Sequence, residues 1–567
     1  MQNLEREKTL SKLFLIGPAV VSILVVTSSV TDPVNVTKFF ALGGLAGALL
    51  ALTLGKDLRL LWKSSRGALL FSALFVISSL NSLVHSDSPI TQQVYGIYGR
   101  NNGILLYLFL TILFISSASI TRTETIEKFI WALVIVGVTN LIYCGWVIAF
   151  GDFLGWSNPY GNILGTFGNP NFIGAFFGIF SSVLLSYVIH FRKNTRYLIL
   201  GFCSYALTAF EIFNSSAIQG RVLLVFGFVL NGFFYLRNRT NSKLLSIGYL
   251  GFSGVFGILG VLGTLQIGPL TKFVYKESVS LRGEYWYAGF KMGVTHLWSG
   301  VGFDSYGDWY RTLRRSSALV RPGVDTVSNS SHNVFLDIFA FGGIPSILSY
   351  LGMFCLVIIS ARRYFRHTRK FDPLFTSLLG AWLCYQLQSL ISINQIGLAI
   401  WGWLLSGAII AYVRIKLNQN SNLVKSLTNR TKSLGRNSEV FSPQLRAGVG
   451  IVIGLLLAVP PLSSDIKLRT AQESRSADQL EATLKSGYLN PPNTNKYLTT
   501  IQTFEQSNMT KTSHKIALAA VEFNPTNFDV WKFLYLLKDS TDTEKQESIR
   551  VMKSRDPLNP NILESNK

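Results

Sequence analysis

Residues 172–191 read FIGAFFGIFSSVLLSYVIHF, and the next charged residues are Arg192, Lys193 and Arg196. A helix of that length spans about 30 Å, the thickness of a bilayer's hydrocarbon core. A run free of Asp, Glu, Lys and Arg, closed by a basic cluster, reads as a membrane-crossing helix. The pattern recurs. Working outward, we find about thirteen such stretches, at 13–31, 37–55, 67–84, 103–120, 127–150, 172–191, 196–213, 219–236, 243–266, 333–360, 372–390, 395–414 and 446–463. Backbone in lipid must satisfy its own hydrogen bonds, and long helices do so. The expected fold class is an all-α polytopic membrane protein with about 12–13 transmembrane helices.

Composition agrees. Apolar residues make up 49% of the 567 and charged residues 14%. An average soluble domain carries roughly 25% charge, which argues against a soluble enzyme. The 13% aromatic content argues against disorder. The net charge of +22 would suit nucleic-acid binding, but its placement does not. With the N-terminus taken as cytoplasmic, the cytoplasmic segments up to Arg446 hold 27 Lys and Arg and the opposite side holds 11. This is the bias that orients membrane proteins, so no nucleic-acid partner is expected. The four cysteines, Cys144, Cys203, Cys355 and Cys384, each lie inside an apolar run and read as packing residues. No Cys/His spacing suggests a metal. The first apolar run lacks a small-residue cleavage site and is expected to remain as a span.

These readings divide the chain into a polytopic domain (1–416, with an external loop at 267–331), a cytoplasmic linker (417–445), a last span (446–463) and an external tail (464–567). The tail is polar. Asn490-Pro491 recurs as Asn524-Pro525 and Asn559-Pro560, with aromatics at Tyr497 and Trp531. The segment Ile516–Asn527 resembles the end of a tetratricopeptide repeat, whose period of about 34 residues matches. A plain bundle of helical hairpins fits as well. Either form would serve as a docking module for a protein partner.

Four polar clusters fall on the expected external face. Tyr95-Gly-Ile-Tyr-Gly-Arg100-Asn101-Asn102-Gly103 has the aromatic, Arg and Asn side chains that suit sugar stacking and hydroxyl binding. It also fits an interfacial aromatic belt. Gly165-Thr-Phe-Gly-Asn169-Pro-Asn171 precedes a span; Asn before Pro is biased away from helix, so Asn171 is expected to cap the helix. Glu211 to Arg221 joins two spans, and these two residues could pair with each other. The long loop contains Arg282, Glu284 and Trp286 in a stretch at 282–298 that suits the membrane surface. It continues through SGVGFDSY (299–306) and closes on Ser331-His332-Asn333. A histidine with a near-neutral pKa, at the mouth of a span, suits proton removal from a hydroxyl.

Together GTFGNPN (165–171), Arg282 to Trp286 with SGVGFDSY, and SHNVFLDIFAFGG (331–343) resemble the O-antigen ligase and polymerase superfamily of bacterial membrane glycosyltransferases. A tetratricopeptide-like tail is similar to members of that superfamily. The resemblance implies a glycan on undecaprenyl pyrophosphate at the outer leaflet of the bacterial plasma (inner) membrane. It implies transfer of that glycan to the hydroxyl of an acceptor glycan, lipid or protein. No cofactor, nucleotide sugar or obligatory metal is implied. His332 would be the base and Arg282 would meet the leaving diphosphate. Arg221, Arg100, Asn169, Asn171, Trp286, Asn333 and Asp337 would help bind substrate, with Asp337 a candidate to orient His332. Two departures stand out. Arg221 lies two places beyond the superfamily's usual arginine, about 200° around a helix. Phe341 stands before Gly342 where an acid is common. Readings of another class are a flippase for lipid-linked sugars, whose polar groups would line a mid-membrane path, and a membrane scaffold indifferent to loss of His332 or Arg282.

Overall fold

The chain's computed structural model describes residues 2–55, 58–240, 242–264, 266–275, 277–418 and 441–563. The helices are α1 Gln2–Ile23, α2 Asn35–Leu54, α3 Leu58–His85, α4 Ile90–Tyr95, α5 Ile104–Ala118, α6 Thr123–Phe150, α7 Pro170–His190, α8 Thr195–Asn214, α9 Ile218–Arg239, α10 Lys243–Thr264, α11 Thr271–Val274, α12 Glu277–Ser280, α13 Arg282–Thr295, α14 Tyr306–Leu313, α15 Val334–His367, α16 Pro373–Ser389, α17 Ile396–Asn418 and α18 Pro443–Ser474. Shorter tail helices follow. Among the described residues ten helices are long and apolar enough to cross a membrane, and no strand occurs. Three of the thirteen expected spans fall outside that set: α1 carries charges near its start, α5 has 15 residues and α16 has 17. Most of the expected linker 417–445 lies outside the described residues.

Helix starts follow one device three times. Asn169-Pro170, Asp372-Pro373 and Ser442-Pro443 each place a capping side chain before a proline at the first turn. Proline has no N–H to leave unsatisfied there, and its fixed φ suits a helix. This corrects the expected cap of α7. Asn169 accepts from the Asn171 N–H (2.9 Å), so Asn171 is already inside the helix. The end of α1 is set by Lys38, whose ammonium takes the Ser22 and Leu24 carbonyls (2.5 and 2.9 Å). Packing rests on small residues, as expected where lipid gives helices no hydrophobic reason to associate. A Cβ on Gly47 would lie 2.0 Å from the Gly450 carbonyl oxygen, so α2 and α18 touch backbone to backbone.

The loops segregate onto two faces. On one, Asn35 Nδ2 donates to Gly99 O (2.8 Å), Thr166 Oγ1 to Ser22 O (3.0 Å), Ser88 Oγ to Val301 O (3.0 Å) and Ser216 Oγ to Asn162 Oδ1 (3.2 Å). On the other, Arg6 donates to Gly55 O (2.9 Å), Arg414 to Ser64 O and Ala118 O (2.7 and 2.8 Å), and Arg237 to Phe365 O (2.6 Å). Successive connections alternate between these faces. Among the described residues α1, α5 and α16 pack against the candidate spans α6, α17 and α7.

The tail docks on the first face. Arg314 pairs with Asp556 (2.7 Å) with both side chains fully buried, and Arg311 joins them at 3.3 Å. Asn524 and Asn527 donate to Asp308 (3.2 and 2.6 Å), and Thr91 donates to the Pro492 carbonyl (3.1 Å). The helix Pro443–Ser474 passes through the expected span end at 463, with Pro460 and Pro461 inside it, so the last span and the start of the tail share one helix.

Candidate functional site

The site is built on a broken helix. At Gly342 and Gly343 α15 leaves helical geometry, with Gly343 at φ 65°. Only glycine adopts that without a Cβ penalty, and a Cβ there would also meet Leu297 O at 2.3 Å. The break frees carbonyls that the loop then uses: Val301 N donates to Ala340 O (2.8 Å) and Gly302 N to Phe341 O (3.2 Å). The motifs at 299–306 and 331–343 are thus two halves of one crossing. Phe341, where the superfamily often has an acid, packs its buried ring on Phe303 at 5.7 Å.

His332 is presented by a fully bonded turn. Asp337 accepts from Ser330 Oγ, Ser331 N and Ser331 Oγ, each at 2.7 Å. Among the described residues no hydrogen bond joins it to the His332 ring; its oxygens hold the turn, and Ser330 Oγ, which donates to Asp337, accepts from His332 N (2.9 Å). Asn333 caps α15 by accepting from Phe335 N and Leu336 N (3.0 and 3.2 Å). His332 itself has φ 55°, and its ring stacks on Tyr285 at 5.5 Å. Tyr285 is fixed in turn, its carbonyl accepting from the buried Tyr306 hydroxyl (2.6 Å). Burial, then the positive charges of Arg100 and Arg282, push the His332 pKa down to about 3. The imidazole is therefore neutral, with its ring nitrogen unprotonated, and becomes a stronger base once a bound anion offsets the two arginines.

Arg282 opens α13 and is 9% exposed. Among the described residues its guanidinium makes no hydrogen bond, and its Nε is buried and unpartnered. Burial lowers its pKa to about 10, so it stays charged. The contrast within the loop is informative. Arg311 and Arg314 bind Asp556, Arg315 binds Glu284 (2.7 Å) and Arg321 binds Glu277 (3.0 Å). Among the described residues, Arg282 is the one arginine of this loop without a carboxylate partner.

Arg100 comes to the same place from the 96–102 turn. Asp304 holds this turn by accepting from Ile97 N (2.8 Å) and Asn102 N (3.1 Å). Burial raises the Asp304 pKa to about 6, against the pull of Arg100. The Arg100 Nη1 is buried without a hydrogen bond; burial lowers its pKa, while Asp304 and Asp337 act in the opposite sense. Asp304, Tyr285 and Tyr306 are site residues that the sequence reading left without a role. The one available signal was their position in the 282–286 and 299–306 motifs.

A second group stands apart. Gln219 donates to the Asn171 carbonyl, and Asn169 Nδ2 donates to the Tyr160 hydroxyl (3.0 Å). Glu211 is fully buried with both carboxylate oxygens unpartnered. It does not pair with Arg221, whose guanidinium lies 5.1 Å over the Phe213 ring. Among the described residues no hydrogen bond, ion pair or ring contact joins Arg221 to Arg100, Arg282 or His332. Trp286, on α13, is 37% exposed and begins an outward apolar stripe with Phe290, Val294 and Trp298. That stripe suits an interface with lipid.

The arrangement offers a neutral base beside two cations with free donors, next to an apolar surface. Residues 204–351 match the family model described as O-antigen ligase. No curated protein matches the chain. The matched segment contains Arg282 and His332; Arg100 and the tail lie outside it.

Proposed function

We propose that this chain is a membrane glycosyltransferase of the O-antigen ligase and polymerase type, acting at the outer face of the plasma membrane. Its donor is a glycan on undecaprenyl pyrophosphate, and its acceptor is a hydroxyl on a glycan, lipid or protein. All thirteen helices cross the bilayer, the N-terminus is cytoplasmic, and the tail, helical and tetratricopeptide-like, is external. Supporting this orientation, the arginines that tie the second face together are those of the basic loops.

In this reading the polyprenyl chain lies along the α13 stripe and its diphosphate meets Arg282 and Arg100. His332 takes the proton of the acceptor hydroxyl. The hydroxyl oxygen attacks the anomeric carbon while the bond from that carbon to the diphosphate oxygen breaks, and the diphosphate leaves with the electron pair. Direct displacement inverts the anomeric centre. Charge developing on the leaving group is met by preorganised guanidinium donors in a site of low polarity. The observation that carries the reading is that, among the described residues, Arg282 has no carboxylate partner in a loop whose other arginines are paired, while it and Arg100, from the 96–102 turn, both act on the buried His332.

The test is transfer by purified full-length protein, given a lipid-diphosphate glycan and candidate acceptors. Loss of the base in His332→Ala should lower kcat by roughly 10²–10⁴. Arg282→Ala and Arg100→Ala should each lower it by about 10²–10³. Transfer that is indifferent to His332→Ala removes the base; an absolute need for a divalent ion removes the arginine account.

A further inference from the structure

The second face carries a concentration of charge that the site above does not use. From the end of α7 into α8 the chain reads HFRKNTR (190–196), and from the end of α9 into α10 it reads YLRNRTNSK (235–243), with no Asp or Glu in either. α7 and α9 pack along each other, which brings these two segments together. Arg192 and Arg239 both place their guanidinium on the Tyr235 ring, at 5.8 and 5.7 Å from its centre. A ring face attracts each cation but neutralises neither.

Among the described residues no carboxylate pairs with Arg192, Lys193, Arg196, Arg239 or Lys243. Asp372, an acid on the same face, accepts from the Tyr364 and Tyr412 hydroxyls instead. Arg192 is steadied by one bond, from its Nη1 to the Ile189 carbonyl (2.8 Å). Its Nε and Nη2 are neither hydrogen-bonded nor enclosed, and Arg239 is exposed. These donors are therefore positioned, unneutralised and accessible.

The surface beside them is apolar. α8 and α10 begin at this face, and their first two turns leave Leu200 65% and Leu244 81% exposed, with Tyr197 and Ile247 also open. A free anion gains nothing from such a surface. A lipid does, because its phosphate lies level with the helix ends while its acyl chains run along the spans. Basic pockets between membrane helices recognise acidic headgroups in this way, and a planar guanidinium matches a pair of phosphate oxygens.

We propose that Arg192 and Arg239, gathered on Tyr235, bind the headgroup phosphate of an acidic glycerophospholipid whose chains lie against α8 and α10. The proposal rests on the bundle lying in a bilayer and not on the transferase reading.

The experiment is native mass spectrometry of full-length protein in neutral micelles, with phosphatidylglycerol or phosphatidylcholine of equal chain length added. Wild type should retain phosphatidylglycerol in preference to phosphatidylcholine. Arg192→Gln and Arg239→Gln should each weaken its binding about fivefold, and the double variant about thirtyfold. Tyr235→Leu keeps every charge and should also weaken binding, by letting the arginines disperse. Replacing Arg362 and Arg363, exposed on α15 at the same face, by Gln should change nothing. If the double variant melts early, the single ones decide. Equal retention of the two lipids, or equal loss in the Arg362 and Arg363 control, would reduce the cluster to unspecific surface charge and overturn the proposal. Release of bound phosphatidylglycerol by millimolar inorganic phosphate would overturn it too, in favour of a free-anion site.

Discussion

The buried His332 feels the positive charges of Arg100 and Arg282, and that environment fixes how the protein should respond to pH. Burial and both positive charges disfavour the imidazolium, so the free protein keeps a neutral ring far below the usual histidine range. The sign follows. Over the window from about 6.5 down to about 3 the unfolded chain takes up a proton that the folded one refuses, so this residue costs stability as pH falls. For activity, kcat/KM should show no histidine limb between about pH 8 and 5. A bound diphosphate offsets the two arginines and raises the pKa, so kcat should lose activity at higher pH than kcat/KM does. Arg282→Gln removes one positive charge and should move the kcat/KM acid limb upward. A limb near 6.5 in the unaltered free protein would contradict the arrangement.

At the scale of the element, α15 does two jobs that pull against each other. It must begin sharply enough to present His332, and it must break at Gly342 and Gly343 to admit the 297–302 segment. The sharp start depends on Asn333. Asn333→Ala removes both cap bonds and should cost about 1 kcal/mol, lowering the melting temperature and, through the displaced His332, kcat. Asn333→Asp keeps an acceptor at the cap and should restore both. Equal melting temperatures for the two variants would show that the cap does not set the turn. Asp337 belongs to the same device, since the Ser330 and Ser331 groups it gathers are the residues just before the histidine.

Across the whole molecule, a buried ion-pair cluster holds the tail on the helix Tyr306–Leu313 and Arg314. Asp556→Asn leaves Arg314 buried without its counter-charge, and leaves Arg311 with Asp529 alone at 3.8 Å. Breaking such a pair costs about 3–5 kcal/mol, enough to free the tail. Limited proteolysis should then cut between the helix Pro443–Ser474 and the helix Thr494–Gln506 while the bundle stays intact. Resistance equal to wild type would mean that other contacts hold the dock. Topology offers a second check. Cysteine introduced at Val320, which is 87% exposed, and at Asn508 should both react with an impermeant thiol reagent from the outside, whereas one at Thr240 should not. Labelling of Val320 and Asn508 from opposite sides would refute the count of thirteen crossings.

Composition and the lengths of apolar runs were enough to determine a many-helix membrane protein, because lipid forces the backbone to close its own hydrogen bonds whatever the tertiary detail. The basic clusters likewise marked one set of loops, since their bias is a property of each loop alone. His332, Arg282 and Arg100 were legible as residue types in motifs. What only the folded molecule decided is which of them meet. Arg100 lies 232 positions from His332 in the chain, yet it shares the histidine's field, while Arg221 stands over Phe213 in another group. The roles of Asp304 and Asp337 as holders of turns and the cap at Asn169 also waited on structure. Each depends on contacts between segments far apart in sequence, and no local pattern records which distant partner a carboxylate will find.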